Sequence, residues 1–433
     1  MQMLGYYIDL AQRSLRRNAI LTALTVVAVA VGIGTSMTVF TVFRALSADP
    51  IPGKSSQLYT VLIDNWGPSA TIAENMRLAV SYPDAMALLR AKRARAQTAL
   101  YAVSFTVTPS DPAATPISAA GHATYTDFFS MFDVPFRYGR PWTSTEDEGQ
   151  ANVVVLGASL ADRLFPGRNP VGQEVILNQQ SWRVIGVMQP WDPRPHFYDL
   201  IFSSDEVFVP FQSAVARGFP VQLSGCNKPP PSGPSVAGQM NSECQWVLAW
   251  FELPTSADVE SFRRFLQSYS EEQRRIGRFN WPPNYHLYSV PEWLIRLKVV
   301  SDEMRLATFV AFGFLLVCLL NAIGLLLAKF NGRVSSLSVH RALGASRFDV
   351  FAQCLTESAV VGAAGGILGL VLMLFGLELE RRVLSQQMIA LARLDGGMVV
   401  ITLAVAVVAT VACGAYPSWR ASRVQPAPQL KAQ

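Results

Sequence analysis

Catalysis and metal binding need particular residue types at particular spacings, and this chain offers few of them. Its four histidines, His122, His196, His286 and His340, are far apart in the sequence, and none stands in a metal-ligand spacing such as HExxH. No metal site is expected. The nearest approach to a serine-nucleophile elbow is Gly157-Ala158-Ser159-Leu160-Ala161, with Ala161 where GxSxG requires its second glycine. A phosphate loop of the form GxxxxGK followed by Ser or Thr is missing, so the chain is not expected to cradle ATP phosphates. No catalytic residue is nominated, and any ATPase activity is assigned to another chain.

Two other groups of residues carry chemical potential. Cys226 and Cys244 bracket the Pro/Gly/Ser-rich stretch Asn227–Asn241, which has little capacity to form a core. In an oxidising compartment a disulfide between them would stabilise the fold by about 3 kcal/mol by restricting the unfolded chain. The alternative is two unpaired thiols. Cys318, Cys354 and Cys413 lie in or beside apolar runs and read as small packing residues. Within those runs Asn321 and Glu357 are the notable polar groups. Glu357 sits only about two turns into its run, where it is expected to pair with a cytoplasmic basic residue or to reach the interface.

The elements that carry these residues are set by composition. Half of the 433 residues are apolar and 15% are charged, against roughly 25% charged in soluble domains. The apolar residues concentrate in four stretches long enough to cross a hydrocarbon core, about Ala19–Leu46, Leu306–Ala328, Phe351–Leu377 and Met398–Tyr416. The first is too long for a secretory h-region and is expected to remain as an uncleaved span. Arg13, Arg16 and Arg17 before it place the N-terminus inside. An even number of spans then puts Lys329, Arg333, Arg341 and Arg347, and the tail with Arg420, Arg423 and Lys431, inside as well. Arg381, Arg382 and Arg393 run against this rule but are accompanied by Glu378, Glu380 and Asp395. The net charge of +5 is thereby a matter of topology and not of a nucleic-acid partner.

The expected organisation is an interfacial amphipathic helix over residues 1–18, a first span over 19–46, an extracytoplasmic domain over 47–302 and a second span over 303–328. A cytoplasmic segment over 329–350 and two further spans within 351–433 complete it. The fold class is an integral membrane α-helical protein of four spans, arranged one plus three, with a large α+β domain. Strands are expected at Leu58–Ile63, Leu100–Val107, Asn152–Leu156, Gln173–Leu177, Trp182–Val187, Val207–Pro210 and Trp246–Phe251. Helices are expected at Pro83–Arg95 behind the N-cap Ser81, at Ser159–Leu164, and at Ser256–Arg275 behind Thr255 or Ser256. A domain of this length implies a bipartite unit or two subdomains.

Within the cytoplasmic segment, Val339-His340-Arg341-Ala342-Leu343-Gly344-Ala345-Ser346 reads as a short helix with a break. Gly344 stops one helix, Ser346 caps the next, and Val339, Ala342 and Leu343 remain available to a soluble partner. Downstream, Gly362-Ala363-Ala364-Gly365-Gly366 with Gly369 allows close helix approach, in a dimer or a tight bundle.

Several motifs in order carry a family resemblance. They are Leu15-Arg16-Arg17-Asn18, Tyr82-Pro83-Asp84, Thr126-Asp127-Phe128-Phe129, Tyr138-Gly139-Arg140-Pro141, Leu164-Phe165-Pro166-Gly167, Pro170-Val171-Gly172, Arg341-Ala342-Leu343-Gly344-Ala345-Ser346 and Tyr416-Pro417-Ser418-Trp419-Arg420-Ala421-Ser422. With them the chain resembles the permeases of the MacB/FtsX-like ABC transporter superfamily. The resemblance implies a dimer of permeases in the bacterial inner membrane, identical or homologous, driven by a separate ABC ATPase that binds ATP and Mg. Motion would pass through the membrane to a periplasmic MacB-like core domain. It further implies Arg341, Ala342, Leu343, Gly344, Ala345 and Ser346 as the ATPase-coupling residues, and efflux of antibiotics, peptides or related compounds through a periplasmic adaptor and an outer-membrane channel. Lipoprotein release, or regulation of cell-wall hydrolases without export, are the alternatives. One departure stands out: Ser335-Ser336-Leu337-Ser338 occupies the place where the family often has Arg-Glu-Ile-Gly.

Overall fold

Why the extended segments form one sheet follows from their burial. In a computed structural model, which describes residues 18–70, 78–109, 115–199, 205–342, 344–383 and 396–423, alternate strand residues enter two separate apolar clusters. Val154 and Leu156 join one and Val153 and Val155 the other; Val207 and Val209 separate from Phe208 in the same way, and Ala249 and Phe251 from Trp250. With side chains alternating across the pleat, both faces of the sheet are covered. The unit Ala48–Val299 is thus layered around β1 (Leu58–Ile63), β2 (Val80–Ser81), β3 (Ala96–Thr108), β4 (Ile117–Thr124), β5 (Phe136–Gly139), β6 (Val153–Leu156), β7 (Glu174–Leu177), β8 (Gln180–Met188), β9 (Val207–Pro210), β10 (Gln245–Glu252) and β11 (Tyr285–Ser289).

The strands follow the spatial order β11-β1-β10-β3-β4-β9-β6-β8-β5, with β2 on β10 and β7 bridging β3 and β8. The pairs β4–β9 and β6–β8 are parallel, and the others along the path are antiparallel. Of the two arrangements that length allowed, one unit or two subdomains, the strands form one continuous sheet within a single unit. Gly121 explains how the parallel pair β4–β9 can close: a Cβ there would fall on the carbonyl oxygen of Val207.

Helices cover the faces: α2 (Tyr82–Ala91), α3 (Asp127–Met131), α4 (Ser144–Glu148), α5 (Ala158–Leu164), α6 (Phe211–Ala216), α7 (Val236–Met240), α8 (Ser256–Arg275) and α9 (Val290–Arg296), the first helix, α1, being Ala19–Ser47. The helix expected at Pro83–Arg95 ends at Ala91, because Lys92 takes the left-handed conformation (φ 49°) and turns the chain toward β3. For α8, Thr255 and Asp258 form a reciprocal cap, each side chain bonding the other's backbone N–H. Within the stretch Asn227–Asn241, Ser235 caps α7 and Val236 is buried.

A second unit comprises residues up to Ser47 and from Val300 onward. Among its described residues are four helices long and apolar enough to cross a membrane: α1, α10 (Asp302–Asn331), α12 (Arg347–Val383) and α13 (Gly396–Ser422). The short α11 (Val334–Ala342) lies between α10 and α12. Small residues determine how closely α12 is held. Gly365 and Gly369 face Val29, Ala30 and Ile33 of α1, whereas Gly362 and Gly366 face Thr410 and Ala406 of α13. The glycine run therefore serves packing inside this bundle, where small residues let backbones approach. Several polar side chains of the bundle are satisfied by backbone carbonyls. Thr25, Thr38, Thr41, Thr402 and Thr410 each donate to the carbonyl four residues back, and Ser36 donates to Ala311 O across to α10 at 2.7 Å. The interfacial helix expected over residues 1–18 falls almost wholly outside the described residues.

Candidate functional site

The sequence places its strongest functional signal between α10 and α12, and local chemistry shapes that segment. Helix α11 ends at Ala342, and Gly344 adopts φ +104°, a conformation that penalises any residue with a Cβ. Ser346 then opens α12. Its hydroxyl accepts from Asp349 N at 3.1 Å, while Asp349 Oδ2 accepts from Ser346 N at 2.9 Å. This reciprocal cap fixes where α12 begins. Of the expected coupling residues, Ala342, Gly344 and Ser346 are exposed and Arg341 and Ala345 half-buried, whereas Leu343 lies outside the described residues. The Arg341 guanidinium reaches toward Ser422 O at 3.5 Å, at the end of α13, a favourable position for a cation beside a helix C-terminus.

What holds the segment to the bundle is a small apolar cluster. Leu326 and Phe330 of α10, Leu337 of α11, Val350 and Cys354 of α12 and Ala421 of α13 bury one another. On the outer side Val339 is 44% and Phe348 74% exposed. Large apolar side chains beside a polar turn are available for a partner to cover.

Beneath this cluster lies an ionic knot. Lys329 Nζ meets Glu357 Oε1 at 2.5 Å and donates to Thr22 Oγ1 at 2.9 Å, and Arg333 Nη1 meets Glu357 Oε2 at 3.1 Å. Lys329 and Glu357 are each 1% exposed. Pairing of Glu357 with basic residues is what its position allowed. Reaching the interface is not, because α1, α10 and α12 close around it. The knot joins these three helices and the start of α11 in one electrostatic unit, and so low an exposure makes its members dependent on each other. Asn321 lies within α10 and is exposed, outside this knot.

The α+β unit has its own polar networks. The sulfurs of Cys226 and Cys244 are bonded to each other, while Cys318 and Cys354 are buried free thiols and Cys413 is partly buried. Next to the disulfide, Arg278 binds both carboxylate oxygens of Asp84 (2.6 and 3.0 Å) and both of Glu243 (2.7 and 2.8 Å). Tyr269 donates to the same Asp84 at 2.7 Å. Burial pushes the Arg278 pKa down, but its two carboxylate partners outweigh this and leave it raised.

Histidines that are remote in sequence meet in space. His122 on β4 contacts Asp199 Oδ2 at 2.9 Å and lies 3.6 Å from Asp205, whose other oxygen lies 3.6 Å from His196. Tyr198 donates to Asp205 at 2.7 Å. The sequence separation of 74 residues between the two imidazoles hid this, and only the Asp-rich segment from Asp192 to Asp205 signalled it. For His196, burial lowers the pKa but is outweighed by a hydrogen bond to Asp192 and by the charges of Asp205 and Asp199, so the net shift is upward. Among the described residues no group of three or more His, Cys, Asp and Glu is arranged to hold a metal ion.

Comparison with known proteins follows the same division. Residues 22–261 match the MacB-like periplasmic core domain, and residues 308–426 match the FtsX-like permease C-terminal region. A macrolide export ATP-binding/permease protein of Bdellovibrio bacteriovorus is 24% identical over 297 residues, covering 68% of this chain and 41% of the relative. Its counterpart in Rhodospirillum rubrum is 23% identical over 432 residues, covering 99% of this chain and 60% of the relative. The chain thus spans about half the length of these curated relatives. An ABC transporter permease of Bacillus subtilis, YvrN, is 24% identical over 70% of this chain and 68% of its own length. The crystal structure of the periplasmic region of MacB from Actinobacillus actinomycetemcomitans aligns with a TM-score of 0.36 at 15% identity, covering 55% of this chain and 91% of that one. With the core-domain match alone spanning more than half of its length, the chain belongs to the family of permeases built from a MacB-like periplasmic core domain and an FtsX-like C-terminal region.

Proposed function

We propose that this chain is the membrane subunit of a mechanotransmitting ABC transporter. A separate ATPase subunit binds ATP and Mg, and its cycle moves the helical bundle. The bundle passes that motion to the periplasmic domain, which works with an adaptor and an outer-membrane channel to expel antibiotics, peptides or related compounds. The bundle acts as a dimer, with a second copy or a homologous permease, in the bacterial inner membrane.

The observation that carries this reading is the attachment of the cytoplasmic segment. A partner pressing on Val339, Ala342 and Phe348 pushes on α11, and α11 is tied to the bundle by Leu337 and by the Arg333–Glu357–Lys329 knot. A displacement there is handed to α1, α10 and α12 instead of being absorbed by a loose loop. The family names of the longer relatives, which combine an ATP-binding part with a permease, support the same division of labour.

The test is co-purification with the ATPase encoded beside the chain, or within its longer form. Gly344→Val forbids the left-handed turn, and Val339→Asp places a charge on the exposed patch. Each is expected to weaken ATPase association by at least tenfold, about 1.4 kcal/mol, while the chain still inserts in the membrane. Association unchanged by both substitutions would overturn the assignment of this segment.

A further inference from the structure

The α+β unit contains a groove that none of the roles above uses. It is lined by residues of α2, of the turn into α3 and of α4, together with Gln212 of α6 and Met240 of α7, and has a volume of about 760 Å³. That lies within the range of small-molecule sites. Its apolar surface comes from Pro83, Met86, Leu89 and Met240 and from the rings of Tyr82 and Tyr125. The rings are held in place from behind. Tyr125 stacks on Phe211 (5.0 Å, 16°), and Tyr82 stacks on Trp246 (5.8 Å, 7°). A ligand entering here meets a surface already ordered, which lowers the entropic cost of binding.

Into this groove project three donors without good acceptors, the Tyr125 hydroxyl and the exposed side chains of Arg90 and Lys92. Gln212 Nε2 donates to the Tyr125 hydroxyl oxygen at 2.6 Å, so that oxygen is used as an acceptor. The phenol's own proton finds only the Met86 thioether at 3.4 Å, a weak acceptor. Burial, chiefly, raises the Tyr125 pKa, so the phenol stays a proton donor at neutral pH. Arg90 lines the same groove, is exposed, and makes no ion pair among the described residues. Its charge reaches both Tyr82 and Tyr125. Across the groove, Asp127 already accepts from Gln97 N at 3.2 Å, and the exposed Glu148 opposes a second negative group at that end.

We propose that this groove binds small amphipathic monocarboxylates, the carboxylate held by Arg90 and the Tyr125 hydroxyl and the apolar body lying on Met86, Leu89 and Met240. Guanidinium and phenol together supply charge-assisted hydrogen bonds that an ester or amide of the same shape does not recover. The site belongs to the α+β unit alone and stands independently of how the bundle is driven. Coupling and binding are therefore separable by experiment.

The test uses the full chain in nanodiscs of zwitterionic lipid, with dansyl-phenylalanine as a fluorescent carboxylate and its methyl ester as the uncharged comparator. Saturable binding is expected, about tenfold tighter for the acid than for the ester. Arg90→Ala should reduce that preference and Arg90→Ala with Lys92→Ala should abolish it, while Tyr125→Phe should weaken binding of the acid several-fold. Arg93→Ala, whose guanidinium lies over the Phe265 ring and not in the groove, should change nothing. In a second measurement, the probe should slow maleimide labelling of the thiol introduced by Ser144→Cys on the groove wall. Equal affinities for acid and ester, Arg90→Ala behaving as the unsubstituted chain, or labelling indifferent to the probe would each overturn the proposal.

Discussion

Replacing Glu357 by Ala removes the carboxylate that holds Lys329 and Arg333 inside the bundle. Lys329 is 1% exposed, and its remaining contact is the Thr22 hydroxyl at 2.9 Å. Breaking a buried pair by removing one partner costs about 3–5 kcal/mol, because the surviving charge stays desolvated. Arg333 is 19% exposed and can swing outward, so the cost falls at the lower end. The expected loss is about 3 kcal/mol, more than a hundredfold in the folding equilibrium. Replacing both Lys329 and Glu357 by Met should restore most of it, since apolar side chains of similar volume dispense with the desolvated charges. Unfolding by sodium dodecyl sulfate in mixed micelles, followed by helical circular dichroism, gives the two differences and their coupling. If Glu357→Ala lies within about 1 kcal/mol of the unsubstituted chain, or the double replacement is less stable than the single, the knot is not a buried charge unit and the reasoning fails.

Two further outcomes test the α+β unit. The His196 pKa is raised above its unfolded value, so its stabilising contribution is complete below about pH 6.5 and is lost as the pH rises through the higher folded value. His196→Gln should flatten this dependence in thermal melts between mildly acidic and alkaline buffers, and an unchanged profile would show that the cluster around Asp192, Asp199, Asp205, Tyr198 and His122 does not stabilise the imidazolium. For Arg278→Ala, a wholly buried Asp84 loses both of its guanidinium bonds, and about 3 kcal/mol of stability should go with them. Arg278→Lys should recover less than half, because one ammonium cannot span two carboxylates in bidentate fashion; full rescue by Lys in the same melts would contradict the geometry.

The membrane helices were legible because their signal is length and apolarity, which no tertiary contact needs to complete. The same holds for β1, β9 and α8, whose ends follow from β-branched runs or from a Thr-Ser-Ala-Asp cap. Strand β4 was missed for a physical reason. Its residues Ile117-Ser118-Ala119-Ala120-Gly121-His122-Ala123-Thr124 have little β-propensity, and it is a strand because β3 and β9 flank it and Gly121 admits the Val207 carbonyl. Strand β11 is set by pairing with β1 in the same way. Of the segment between α10 and α12, the Gly344 turn and the Ser346 cap could be read directly from residue type. The knot could not, because nothing local says that Glu357 faces Lys329, 28 residues away, or that Thr22 completes it. The two histidines and Asp205 likewise met only through the fold.

Helix α12 runs for 37 residues, or about 55 Å at 1.5 Å per residue, against a hydrocarbon core of about 30 Å. It is therefore a rod nearly twice as long as the barrier it crosses, pinned near its start by Glu357 and along its middle by Gly365 and Gly369. Geometry then sets the gearing: a pivot of about 10° about the pinned region swings an end some 25 Å away by about 4 Å. That distance approaches a whole turn of helix, so under the proposed mechanism a small angular input at the Ser346 end would become a displacement at the far end large enough to exchange one set of contacts for another.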